Sequence, residues 1–145
     1  MRQDVVMAAR GWLGVKFHHQ GRSRLAGVDC LGLLVKVAEE CALMKDGQAL
    51  AALDQTDYGR NPDPAYLLAR LAEVLEPVAA HALEPGDVGV FRIDGRAQHL
   101  AIIGMHAVPG EFSMIHAYAP LRKVVEHRFD ATWRERMAAA FRLGS

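Results

Sequence analysis

The chain has 145 residues, 51% of them hydrophobic, with 17 Lys+Arg balanced by 17 Asp+Glu. That size and composition predict one domain over 1–145 with a true apolar core. Balanced charge, with a pI near 7.1, gives no electrostatic reason to expect nucleic acid or a membrane surface as partner. No stretch approaches the roughly 20 apolar residues that cross a bilayer, so no membrane insertion is expected. The opening MRQDVVMAARGWLG carries charge early and lacks an apolar run long enough for a signal peptide, which predicts a soluble chain made in the cytoplasm.

Val5, Val6, Ala9, Trp12 and Leu13 recur at helical spacing until Gly14 stops the pattern. Residues 15–28 are polar and aperiodic and are expected to form an ordered loop. A second helix is predicted from Asp29 or Cys30 to about Met44, buried on most sides, with Lys36, Glu39 and Glu40 as its polar stripe. Residues 46–64 contain Gly, Asn and two close prolines and look like an excursion. A short amphipathic helix over 64–75 follows, with Leu67, Leu68, Leu71 and Leu75 on its apolar face.

The period then changes. Pro85-Gly86-Asp87 introduces VGVFRI, and Asp94-Gly95 is a strong hairpin signal. Strands are expected at 96–104, 111–118 and 122–129, and a closing helix at 131–141. Helices first and an antiparallel meander afterwards define an α+β domain.

Of the two cysteines, both expected to be free thiols, Cys41 falls mid-helix and reads as core filler. Eleven positions along one helix separate them by about 16 Å, too far for a disulfide. Cys30 follows Asp29, a good N-cap residue, and so falls in a first helical turn. The unpaired amides and dipole there favour a thiolate, the reactive form, and predict a lowered thiol pKa. Gly32, one turn inside, implies that another backbone or a substrate packs close.

Seven histidines are present. His81 and His127 lie in polar surroundings and His106 in a turn, and none of them needs a special role. His99 begins the strand QHLAIIG and His116 ends FSMIHAY. If these strands form a hairpin whose opposed numbers sum to about 215, His99 faces His116, and one imidazole can orient the other toward a thiol. A register slip of one would separate them onto opposite faces. A zinc site is not expected: there is no HExxH, no CxxC, and adjacent His18 and His19 would point apart on a strand.

The ordered set of Gly27, Asp29, Cys30, Gly32 and Leu33, then Pro85-Gly86-Asp87, then His99, then Ile115-His116-Ala117 resembles the NlpC/P60 family of cysteine peptidases. Trp12 and Gly14 match the preceding helix end. The resemblance implies a papain-like core, with N-terminal helices packed on an antiparallel β-meander. It implies Cys30 as nucleophile, His99 as base and His116 as orienting residue, without a cofactor or metal. The implied substrates are amide bonds in the stem peptides of bacterial peptidoglycan. The short chain and the His19-Gln20-Gly21 run look most like the phage-tail and gene-transfer-agent branch, which implies phage-tail proteins as partners and a virion-associated site of action.

Phe17 stands where the family often has tyrosine, and His19 where it often has tryptophan. Phe17, His18, His19, Gln20, Arg22 and Asp29 are therefore the candidate substrate-binding set, with Arg22 suited to a substrate carboxylate. Two other functions compete: a non-catalytic tail-assembly or wall-binding component, and a thiol amidase or acyltransferase acting on other amides.

Overall fold

The computed structural model describes residues 2–54, 64–93 and 96–143. The chain opens with α1 (Gln3–Arg10), a two-strand ribbon of β1 (Arg22–Ser23) and β2 (Gly27–Val28), and α2 (Cys30–Glu40). A small hairpin, β3 (Met44–Lys45) and β4 (Gln48–Ala49), precedes α3 (Pro64–Val74). Then come β5 (Glu76–Pro77), β6 (Val88–Ile93), β7 (Arg96–Met105), β8 (Phe112–Tyr118) and β9 (Lys123–Arg128). The last elements are α4 (Ala131–Arg136) and β10 (Met137–Arg142). The six-stranded sheet has the order β5-β10-β6-β7-β8-β9 and is antiparallel throughout.

The α+β class and the helices-then-meander order match the expectation. Five details differ. The first helix ends at Arg10, leaving Leu13 exposed. The supposed loop at 15–28 contains the β1–β2 ribbon. The helix expected to reach Met44 ends at Glu40, because Ala42 takes a left-handed φ of 50° and Leu43 N–H bonds back to Ala38 O. Cys41 therefore caps the helix, half-buried, instead of sitting mid-core. The excursion begins as a hairpin, with Asp46 and Gly47 both at positive φ as a tight turn requires. The Asp94-Gly95 turn and residues 55–63 lie outside the described residues.

The fifth difference is the largest. The closing helix stops at Arg136, and Met137–Arg142 become a strand that pairs with β6 on one side and β5 on the other. MAAAFR favours a helix by propensity. It is extended because β6 otherwise presents an unpaired edge. Asp87 anchors this return: its buried carboxylate accepts from Arg142 Nε at 3.1 Å and from Glu84 N at 2.8 Å.

The sheet separates two apolar clusters. On one face Val88, Leu100, Ile102, Ile115 and Val124 pack with Val5, Trp12, Leu33 and Val37 of the helical layer. On the other, Phe91, Ala101, Ile103 and Met114 pack with Phe129 and Trp133. Arg10 of α1 reaches Glu126 of β9 at 3.0 Å, and Glu126 also accepts from Ser113 Oγ. That ties helix to sheet beside the site.

Candidate active site

Cys30 opens α2, and Asp29 caps it: its Oδ1 accepts from Gly32 N at 2.8 Å. Asp29 Oδ2 accepts from Gln20 N at 2.9 Å, so the same carboxylate fixes the loop ahead of the helix. The close approach expected at Gly32 is real. A β-carbon there would collide with the carbonyl oxygen of Gly21. Loop and helix start are thus locked backbone to backbone, and only glycine fits.

Arg22 completes the lock. Its guanidinium grips Asp54 through Nε (2.8 Å) and Nη2 (3.0 Å), and reaches Asp29 Oδ1 at 3.1 Å. The bidentate carboxylate partner expected from a substrate is supplied by this chain. Phe17 pairs with Val28 in a parallel bridge and packs on the core. His18 is exposed and His19 half-buried. Gln20 takes a φ of 59°.

The Cys30 thiol lies among Leu33, Leu34, Leu100 and Ile102. Burial pushes it up to about 12, and the Asp29 charge adds to the rise. The amides of Leu100, Leu31 and Cys30 pull the other way but do not compensate. The lowered pKa expected from the helix end is thus reversed, because desolvation of a thiolate outweighs a helix-terminus field. Leu100, whose N–H reaches the sulfur, is the chain neighbour of His99.

His99 is buried, and its Nε2 lies 2.6 Å from His116 Nδ1. The register that brings them together is not the one expected. Ile102 faces Ile115, Ile103 faces Met114 and Gly104 faces Ser113, so opposed numbers sum to 217. The tight turn between His106 and Glu111, closed by His106 N–H to Glu111 O, sets this. A slip of two preserves the face. His99 and His116 therefore meet diagonally instead of directly.

The diagonal continues to a residue that sequence reasoning passed over. On β9, Val125 faces His116, and His127, two residues on, shares the face. His127 Nε2 lies 2.8 Å from His116 Nε2, and His127 Nδ1 donates to Arg128 O at 2.9 Å. The signal was available: the turn at Ala119-Pro120 makes β8 and β9 a hairpin, and its register carries the same diagonal.

Trp133 of α4 covers all three rings, its centroid 5.4 Å from His116, 5.7 Å from His127 and 6.3 Å from His99. Tyr118 packs 4.9 Å from His116. This apolar cover keeps both inner imidazoles neutral. Burial, with the His127 charge second, lowers His99 to about 4. Burial, then His99 and His127, lowers His116 to about 2. Among the described residues, no cluster of three His, Cys, Asp or Glu side chains could hold a metal ion. No described helix is long and apolar enough to cross a membrane.

No protein-family model matches the chain, and no curated protein matches it in sequence. Solved structures do match in fold. An NlpC/P60 family protein from Bacillus cereus superposes with a TM-score of 0.66 at 20% identity, over 98% of this chain and 40% of that one. A lipoprotein-like NLP/P60 family protein from Staphylococcus aureus gives 0.65 at 16% identity, over 99% and 41%. The NlpC/P60 domain of the peptidoglycan hydrolase SagA gives 0.64 at 17% identity, with 97% of each chain covered. The fold is thus that of an NlpC/P60 domain. The chain spans about two fifths of the first two of these proteins.

Proposed function

We infer that this chain is a cysteine peptidase that hydrolyses amide bonds in the stem peptides of bacterial peptidoglycan. The supporting observation is the 2.6 Å bond from His99 to His116, one residue along β7 from the Leu100 amide that touches the Cys30 thiol. The fold, shared with the NlpC/P60 domain of the peptidoglycan hydrolase SagA, supports the substrate class.

Burial of the thiol and of both inner histidines favours a neutral thiol–imidazole pair at rest. His99 acts as general base while the sulfur attacks the carbonyl. The Sγ–H bond breaks as the C–S bond forms, and the proton goes to His99. Amides at the α2 N-terminus, that of Cys30 first among them, hold the oxyanion. His99 then returns the proton to the leaving amine, and water hydrolyses the thioester. Phe17, His18, His19 and Gln20 form the near wall of the substrate cleft, while Asp29 and Arg22 hold that wall in place. Action on a phage tail, beside tail proteins, rests on the His19-Gln20-Gly21 run.

Incubating the protein with purified stem peptides and reading new amino termini tests the proposal. Wild type should cleave while Cys30→Ala and His99→Ala do not. Binding without cleavage by wild type would favour the wall-binding alternative.

A further inference from the structure

We propose that His127 is the outlet of a three-histidine proton relay: it fixes the tautomer of His99 and receives, through His116, the proton that Cys30 gives up. The proposal rests on Cys30 and His99 being nucleophile and base.

The argument is one of donors and acceptors. The carbonyl of Arg128 can only accept, so His127 Nδ1 carries a hydrogen. A neutral His127 then has a bare Nε2, which must accept from His116 Nε2–H. A neutral His116 is therefore bare at Nδ1 and accepts from His99 Nε2–H. His99 is left with a bare Nδ1, which has no protein partner among the described residues. One backbone carbonyl, three rings away, has set the base in the form that can take a proton.

When the thiol gives its proton to His99 Nδ1, the hydrogen on His99 Nε2 passes to His116 Nδ1. The one on His116 Nε2 passes to His127 Nε2. Each ring gains one hydrogen and loses one except His127, which ends as the imidazolium. The inner rings, held under Trp133 and Tyr118, are spared the charge. His127 is half-buried on the edge strand β9 and meets water.

Acid produces the same three-ring state: a solvent proton enters at the one open nitrogen, His99 Nδ1, the two inter-ring hydrogens shift one place, and the charge settles on His127. The relay therefore holds one extra proton, whether the thiol or water supplies it. Acid therefore disables the base without charging His99. The charged neighbours of His127 are otherwise engaged. Arg128 on its own strand bonds Glu111, while Arg134 and Arg136 of α4 stack over Phe129 and Trp133. On β8, Met114 stands opposite it and His116 lies within hydrogen-bond reach.

The test is ¹⁵N NMR of histidine-labelled protein across pH, read beside the rate of Cys30 alkylation by iodoacetamide. As His127 takes up a proton, neutral His99 should switch from Nε2–H to Nδ1–H, and alkylation should fall with the same midpoint. In His127→Phe the switch should vanish and alkylation should slow on the order of 10-fold or more. In His127→Gln, whose amide oxygen accepts without titrating, His99 should stay bare at Nδ1 at every pH. Should His127→Phe fail to fold, the wild-type tautomer titration decides alone. One His99 tautomer throughout, in a wild type that cleaves wall peptides, overturns the relay and leaves the proposed function intact. A tautomer switch without cleavage does the reverse.

Discussion

The carbonyl oxygen of Gly21 occupies the space that a β-carbon on Gly32 would need. Helix propensity alone makes Gly32→Ala favourable by about 1 kcal/mol. Here the obstacle is backbone that Asp29 and Arg22 hold in place, so overpacking of about 1–3 kcal/mol should win. Urea denaturation should show a lower midpoint. A higher midpoint would mean that the loop yields freely.

Ala42 ends α2 in a left-handed conformation, which costs an L-residue about 1–2 kcal/mol relative to glycine. Ala42→Gly should stabilise the protein by roughly 0.5–1 kcal/mol after its entropic penalty. The same denaturation experiment checks it, and a loss of stability would contradict the φ at this position.

Both predictions bear on what the sequence made legible. The helix cap at Asp29, the crowded Gly32, the strands of the central meander and the nearness of His99 to His116 could be read from the sequence pattern. The end of α2 could not, because alanine stands where glycine usually marks the stop. Nor could β10, whose alanines are helix formers overruled by an open sheet edge. The hairpin register was off by two because turn closure at His106 and Glu111 is a three-dimensional property. His127 was passed over because its neighbours in sequence are polar, while its neighbours in space are His116 and Trp133.

Trp133 is the roof over the histidine chain. Trp133→Ala should cost about 3–5 kcal/mol. It should also admit water, moving the His99 and His116 pKa values up toward the ordinary imidazole value. Histidine NMR against pH would register that rise, and unchanged titration would show that another group provides the burial.

Acid should destabilise the fold through the same rings. Unfolded histidine titrates near 6.5, whereas folded His99 and His116 are held to about 4 and about 2. Below pH 6.5 the unfolded chain therefore binds more protons than the folded one, and stability falls as pH drops. The loss by pH 4 should reach a few kcal/mol, read from urea midpoints between pH 8 and 4. His99→Phe should lessen the slope by up to one proton. A flat profile would mean that the rings accept charge in place.

Alkylation of Cys30 should keep accelerating beyond pH 9, since burial holds the thiol up to about 12. A plateau near pH 7 would instead reveal a thiolate–imidazolium pair formed before substrate arrives.

The placement of β10 has a consequence for biosynthesis. A ribosome delivers β6 well before the segment that completes the sheet beside it, with three strands and α4 emerging in between. During that interval one border of the sheet offers unpaired amides and carbonyls to any extended chain nearby. A nascent molecule is therefore at its most association-prone just before Met137–Arg142 arrive, and chaperone engagement or ribosome stalling at that point would decide how much of it reaches the finished fold.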